Sequence, residues 1–290
     1  MYEQIASNKR RTVFLIAFFL VILWGLGYLI GKSTGHPVLL FFIGLFSVGY
    51  SIIGYFSGAK LALAVNGAKQ IKKSDNPQLW RTVENLAITD GLPMPKVYIM
   101  DDPAPNAFAT GRKPDKSAVC VTTGLLNIMD DSELEGVIAH ELGHIKNYDV
   151  RVNTLVFALA GVISMVGDFF INITFWGGND REEGNSQLQL LTLVAAILAP
   201  IAATLVQLAV SRRREYLADA TGALTTRYPE GLISALTKIG EAGSATRKQN
   251  TSTAHMFFAN PLRRQSVLNL FSTHPPIEAR IAALKKMEAA

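Results

Sequence analysis

Cysteine is almost missing from this 290-residue chain, where Cys120 stands alone. No intramolecular disulfide framework can form, and nothing calls for oxidising surroundings. Charge is scarce too, at 18% of residues against 49% hydrophobic. That balance points away from a purely soluble protein and towards membrane segments. The net charge of +5 is not gathered into a nucleic-acid face. Lys9-Arg10-Arg11, Lys69 with Lys72-Lys73, and Arg212-Arg213-Arg214 sit at the ends of apolar runs. Membrane anchoring explains that placement, and no nucleic-acid partner is expected. No internal repeat is visible. The first apolar run is followed by no small-residue cleavage motif, so it reads as an uncleaved anchor.

The chain does contain four long apolar stretches. Residues 13–30 and 37–56 are uncharged, close to the roughly 20 residues a helix needs to cross a bilayer. With His36 between them, they read as a transmembrane hairpin. Residues 154–175 carry Asp168 and Asn172, and residues 188–210 carry Gln189, Pro200 and Gln207. Polar groups are costly in lipid, so this second pair either spans fully or lies as buried core helices. Two to four transmembrane helices are therefore expected in contact with a lipid bilayer. Lysine and arginine gather before the first stretch and after the second and fourth, which puts both termini and residues 58–153 in the cytoplasm. The chain divides into a hairpin (1–57), a cytoplasmic part (58–153), two further hydrophobic helices (154–210) and a C-terminal part (211–290).

Residues 58–153 read as an α+β unit. A helix is expected over 77–89, capped by Ser74 or Asp75. Short strands are expected over 96–100, 106–110 and 118–123. A further helix covers 132–147, with Ser132 and Glu135 as a capping box. Later helices are expected at 215–223, 231–240 and 277–290. The stretch 241–260 is rich in Ser, Thr, Gly and Asn and reads as a mobile loop.

Histidine is also sparse, yet two of the five stand in VIAHELGHIKN, residues 137–147. At about 100° per residue, His140 and His144 lie about 40° apart on a helix, on one face. That spacing lets two imidazoles reach one zinc ion at about 2 Å each. Glu141 is turned about 100° from His140, where it serves as a general base rather than a ligand. Gly143 has no side chain and leaves room beside the metal. A catalytic zinc takes three protein ligands and keeps one open position. The metzincin continuation fails, because Asn147 and Val150 stand where its glycine and third histidine belong. The third ligand must come from afar: His255, His274 or an acid on another helix. Glu215 and Asp219, at i and i+4, are the strongest pair. One can bind the metal while the other holds a ligand histidine by its free N–H.

Set in order, HELGH, then SRRREYLADATGA, then STHPPIEARIAAL resemble the HtpX-type membrane zinc endopeptidases of the M48 group. LPMPKVYI, PNAFATG and VTTGLL fall in the same order, so the resemblance covers nearly the whole chain. It implies an α-helical membrane protein with an α+β zincin (gluzincin-like) catalytic domain and one zinc per chain. His140, His144 and Glu215 then match the ligands, Glu141 the base and Asp219 the group orienting a ligand histidine. Asn106, Ala107, Phe108 and Ala109 resemble the strand that lines the family's cleft, though a hairpin with Asn106 in its turn fits equally. His274 either donates to the oxyanion of the tetrahedral intermediate or caps the helix bearing Arg280, itself a candidate salt-bridge residue. The implied substrates are polypeptides, in particular misfolded or damaged membrane proteins, cut at the cytoplasmic face of a bacterial inner membrane. A zinc-stabilised chaperone or scaffold is the non-enzymatic alternative.

Overall fold

The computed structural model describes residues 2–34, 38–176, 212–247, 253–261 and 275–288. His274 and residues 188–210 lie outside them.

Two long helices open the chain, α1 (Tyr2–Thr34) and α2 (Val38–Val65). Gly44–Val65 is long and apolar enough to cross a membrane. The two helices pack on each other and on α6 (Asp149–Trp176). Their other faces expose large apolar side chains, among them Phe14, Trp24, Phe41, Phe42, Ile53 and Phe56. Contiguous apolar surface on this scale is foreign to a water-facing protein. Helix α6 starts five residues earlier than the apolar pattern suggested, so it begins directly behind the zinc motif.

The α+β unit carries a mixed sheet in the order β1-β2-β4-β3. Its strands are β1 (Lys69–Gln70), β2 (Lys96–Met100), β3 (Ala107–Gly111) and β4 (Ser117–Thr122). The three anticipated strands fall within a residue of their expected bounds, and β1 is too short to leave a pattern. Strands β2 and β4 run parallel, and β3 returns antiparallel against β4 to form the sheet's end.

Helix α3 (Pro77–Thr89) is capped by Asn76, whose side chain accepts from the Leu79 N–H at 2.9 Å. Neither Ser74 nor Asp75 caps it: Asp75 is drawn back to the Lys72 N–H. After the short α4 (Thr123–Ile128) comes α5 (Asp131–Lys146), the centre of the molecule. Its capping box is Asp130 with Glu133, two residues ahead of the Ser132–Glu135 pair anticipated. Asp130 wins because Ser132 donates its hydroxyl to Asp130 instead of accepting a backbone N–H. From Leu134 to Ile145, every residue of α5 except Glu135 is buried. The C-terminal helices α7 (Arg212–Thr226) and α8 (Pro229–Ala242) pack against it, and α9 (Ile277–Glu288) packs on those two.

Helices α5 and α7 cross closely because glycine stands at both contacts. A Cβ on Gly222 would lie 3.0 Å from the His140 nitrogen, and one on Gly143 would lie 3.3 Å from Thr221. Gly143 thus makes room for α7.

Candidate metal centre

Helix α5 brings His140 and His144 to one face, and the close approach of α7 sets Glu215 opposite them. The two Nε2 atoms are 3.1 Å apart. Glu215 places Oε1 3.5 Å from His144 Nε2 and Oε2 4.0 Å from His140 Nε2. All three side chains are buried, and one ligand atom from each lies within 4.8 Å of the others. Ligands at about 2.0–2.2 Å from a tetrahedral zinc sit about 3.3–3.6 Å from one another, so the cluster has the right size.

The hydrogen bonds behind the ligands make the case chemically. His140 Nδ1 lies 2.9 Å from Asp219 Oδ1, and His144 Nδ1 lies 3.0 Å from Asp149 Oδ2. Facing carboxylates, both Nδ1 atoms carry hydrogen, so both Nε2 lone pairs point at one spot beside a third carboxylate. Such convergence calls for a cation. Without a metal, a single proton must serve both rings. Burial pushes His140 down to about 4, against the pull of Asp219. Burial also opposes charge on His144, but Asp149 and Glu215 carry it up to about 9.

Asp219 is fixed from its other side by Arg280 of α9. Nε donates to Oδ2 at 2.9 Å and Nη2 to Oδ1 at 2.6 Å, both groups being buried. Burial raises the Asp219 carboxyl, yet the Arg280 guanidinium outweighs it and holds the group down to about 2. Arg280 is therefore the salt-bridge residue of its helix, and it clamps the carboxylate that orients His140.

Glu141 is buried beside this cluster and does not join it. Burial drives its carboxyl up to about 7, with Glu215 adding to the rise. Its Oε1 has no hydrogen-bond partner among the described residues. A buried, unpartnered carboxylate oxygen beside a metal cluster is suited to accepting a proton.

The remaining anticipated residues fall unevenly. Ala107, Phe108 and Ala109 lie on β3 with Asn106 leading into it, and β3 does end the sheet. Its outer edge is covered, however. Phe108 bridges Phe257 antiparallel, and the Phe258 N–H donates to the Ala107 carbonyl at 2.7 Å. The Asn106 side chain acts as an extra strand residue, donating to the Ala259 carbonyl at 2.8 Å and accepting from its N–H at 3.1 Å. Arg280 Nη1 donates to the Phe258 carbonyl at 2.9 Å. Residues 253–259 are thus packed and buried, in contrast to the mobile loop anticipated there; Phe257 and Phe258 supply the apolar anchor. His255 lies in that segment with Nε2 3.0 Å from the Asn153 carbonyl, and is no member of the cluster.

Sequence reasoning missed Asp149. The available signal was an acid five residues after His144, just past the helix end.

Comparison with known proteins agrees with this geometry. The family model described as peptidase family M48 matches residues 73–288. A "Protease HtpX homolog" of Tropheryma whipplei (strain Twist) is 53% identical over 288 residues, covering 99% of this chain and 98% of its own. Another of that name, from Streptococcus gordonii, is 42% identical over 299 residues, covering 99% and 100%. The crystal structure of S. mikatae Ste24p aligns with TM-score 0.53 at 18% identity, over 98% of this chain and 67% of that one. At that identity the likeness bears on the fold alone.

Proposed function

Since this chain belongs to peptidase family M48, as a membrane-associated HtpX-type zinc metalloprotease, we propose that it hydrolyses peptide bonds of membrane proteins at the cytoplasmic face. The observation carrying this reading is the pair formed by the His140–His144–Glu215 cluster and the unpartnered Oε1 of Glu141 beside it. A purely structural zinc site closes with four ligands and has no use for a base. That weighs against the scaffold alternative.

Bound zinc supplies Lewis-acid polarisation of the scissile carbonyl and acidifies the attacking water. Glu141 Oε1 accepts the proton of that water and delivers it to the leaving amine. Asp219, locked by Arg280, keeps His140 turned with Nε2 inward; Asp149 does the same for His144. Burial of all these groups excludes competing water and strengthens each electrostatic contact. His274 keeps its role as a candidate oxyanion donor.

A substrate lies extended along the outer edge of β3 and bonds through its main chain, a mode that accepts varied side chains. Support comes from Phe257–Ala259, which pair with that edge in this way. A substrate needs the same donors and acceptors, so this segment gives way as it binds. The site sits where α5 turns into α6, with the chain's apolar-faced helices alongside, which suits proteins held in the same bilayer. The first two helices form the transmembrane hairpin, and residues 154–175 and 188–210 complete the multi-pass part around a gluzincin-like catalytic unit. Damaged or misfolded membrane proteins are the proposed natural substrates.

The enzyme reconstituted in vesicles with a multi-pass membrane protein tests this. Cuts mapped by mass spectrometry should fall in loops on the side carrying the enzyme's N-terminus. Cuts confined to the opposite side would overturn the orientation.

A further inference from the structure

Asp149 holds more than His144. Its Oδ2 faces His144 Nδ1 at 3.0 Å, and its Oδ1 accepts from Asn8 Nδ2 at 2.8 Å and from Arg214 Nη1 at 3.3 Å. Asn8 belongs to α1, 141 positions earlier in the chain, and is fully buried. The same Asn8 amide donates to the Asn147 carbonyl, at the end of α5, at 2.8 Å. Its own Oδ1 has no hydrogen-bond partner among the described residues. A buried amide with an unmet acceptor is costly. What offsets the cost is its two donors, both spent on the corner behind a zinc ligand.

That corner is unusual in its own right. Tyr148 sits at φ 62, a left-handed conformation that a bulky residue rarely adopts. The reversal turns the chain sharply between α5 and α6 and sets the Asp149 carboxylate beneath His144. Both hairpin helices hold it there. Lys9 of α1 lies 5.3 Å over the Tyr148 ring, and Arg151, next along α6, donates to the Tyr55 hydroxyl of α2.

We propose that Asn8 is a positioning residue for the zinc ligand His144, acting through Asp149, so that the N-terminal hairpin is part of the metal site as well as its anchor. The Asn8 amide fixes which way the Asp149 carboxylate points. Asp149 in turn fixes the tautomer and tilt of His144, which decides how well Nε2 meets the metal. A change in how α1 seats against the catalytic unit therefore reaches the zinc through two hydrogen bonds.

The test is zinc affinity, read by chelator competition on the full-length protein in detergent micelles, with the melting temperature of the metal-free form beside it. Asn8→Leu keeps the volume and removes both donors. It should weaken zinc binding about ten- to hundred-fold, the usual effect of losing a group that orients a ligand. Leu15→Ala loosens the same helix by removing a buried apolar side chain and should leave zinc affinity within about two-fold, since it touches no ligand-orienting group. In an Asp149→Asn background, Asn8→Leu should add almost nothing, because the two act as one unit. Should Asn8→Leu fail to fold, Asn8→Ser, which keeps one donor, is read in its place and should give an intermediate loss. Unchanged affinity in the Asn8 variant would overturn the proposal. So would an equal loss in Leu15→Ala, or effects of Asn8 and Asp149 that multiply in full. Wild-type binding of zinc in the same assay separates failure of this proposal from failure of the metal assignment itself.

Discussion

Asp219 and Arg280 form a buried ion pair, and Asp219 faces His140 Nδ1, the arrangement proposed to aim that ligand. Replacing Asp219 with Asn keeps the shape but leaves the Arg280 guanidinium without its counter-charge. Zinc affinity should fall about ten- to hundred-fold, and stability by about 3–5 kcal/mol, the usual cost of a stranded buried charge. Chelator competition and denaturant unfolding read the two effects separately. Glu141 sets a pH dependence. Its pKa is raised to about 7, first by burial, and only the ionised form can accept a proton. Activity should therefore fall as pH drops, and since bound zinc favours the anion, the midpoint of the kcat/KM acid limb should lie below about 7. A profile that keeps rising below pH 6 would contradict the role of Glu141. His140 and His144, with Glu141 beside them as the candidate base, were legible in the sequence because helical spacing fixes which side chains share a face; Glu215 was set apart from His255 and His274 only by the resemblance. Asp149 was not, since a turn of left-handed backbone leaves no spacing to read; Arg280 was read as a salt-bridge residue, but its pairing with Asp219 across two distant helices was not.

Helix α5 works only because α7 can approach it. Gly222→Val would drive a branched side chain into the backbone at His140, where a Cβ already falls 3.0 Å from nitrogen. The strain should cost about 1–3 kcal/mol and displace Glu215, lowering melting temperature and zinc affinity together. The covered edge of β3 gives a second prediction at this scale. Cysteines at Phe108 and Phe257, with Cys120→Ser, should join across the antiparallel bridge. Oxidised, this variant should hold zinc yet cleave no polypeptide, with reduction restoring cleavage; full activity while oxidised would show that substrate needs no part of that edge. Strands β2 to β4 and helices α3 and α5 were readable from period and turn residues. The fit of residues 253–259 onto β3 was not, because their polar setting reads as loop. Phe257 and Phe258 bury them only once β3 and α9 are in place.

Across the whole molecule, groups from α1, α5, α6, α7 and α9 converge on the His140–His144–Glu215 cluster and the carboxylates behind it. Chain order hides this, since Asn8, His140, Glu215 and Arg280 span almost its full length. The proposed topology is open to cysteine labelling in intact cells. Thr34→Cys should react with a membrane-impermeant maleimide from outside, and Lys69→Cys only after lysis. Native Cys120 should stay silent in both, being buried with its thiol pKa pushed far up by that burial.

The role proposed for Glu141, activating water at a zinc held by His140, His144 and Glu215, is open to direct measurement. Wild type and Glu141→Gln, purified side by side, should each carry one zinc per chain. Cleavage of a membrane protein should be confined to wild type, with the variant slower by at least about 100-fold. A Glu141→Gln enzyme that keeps its zinc and cleaves at the wild-type rate would rule out Glu141 as the base.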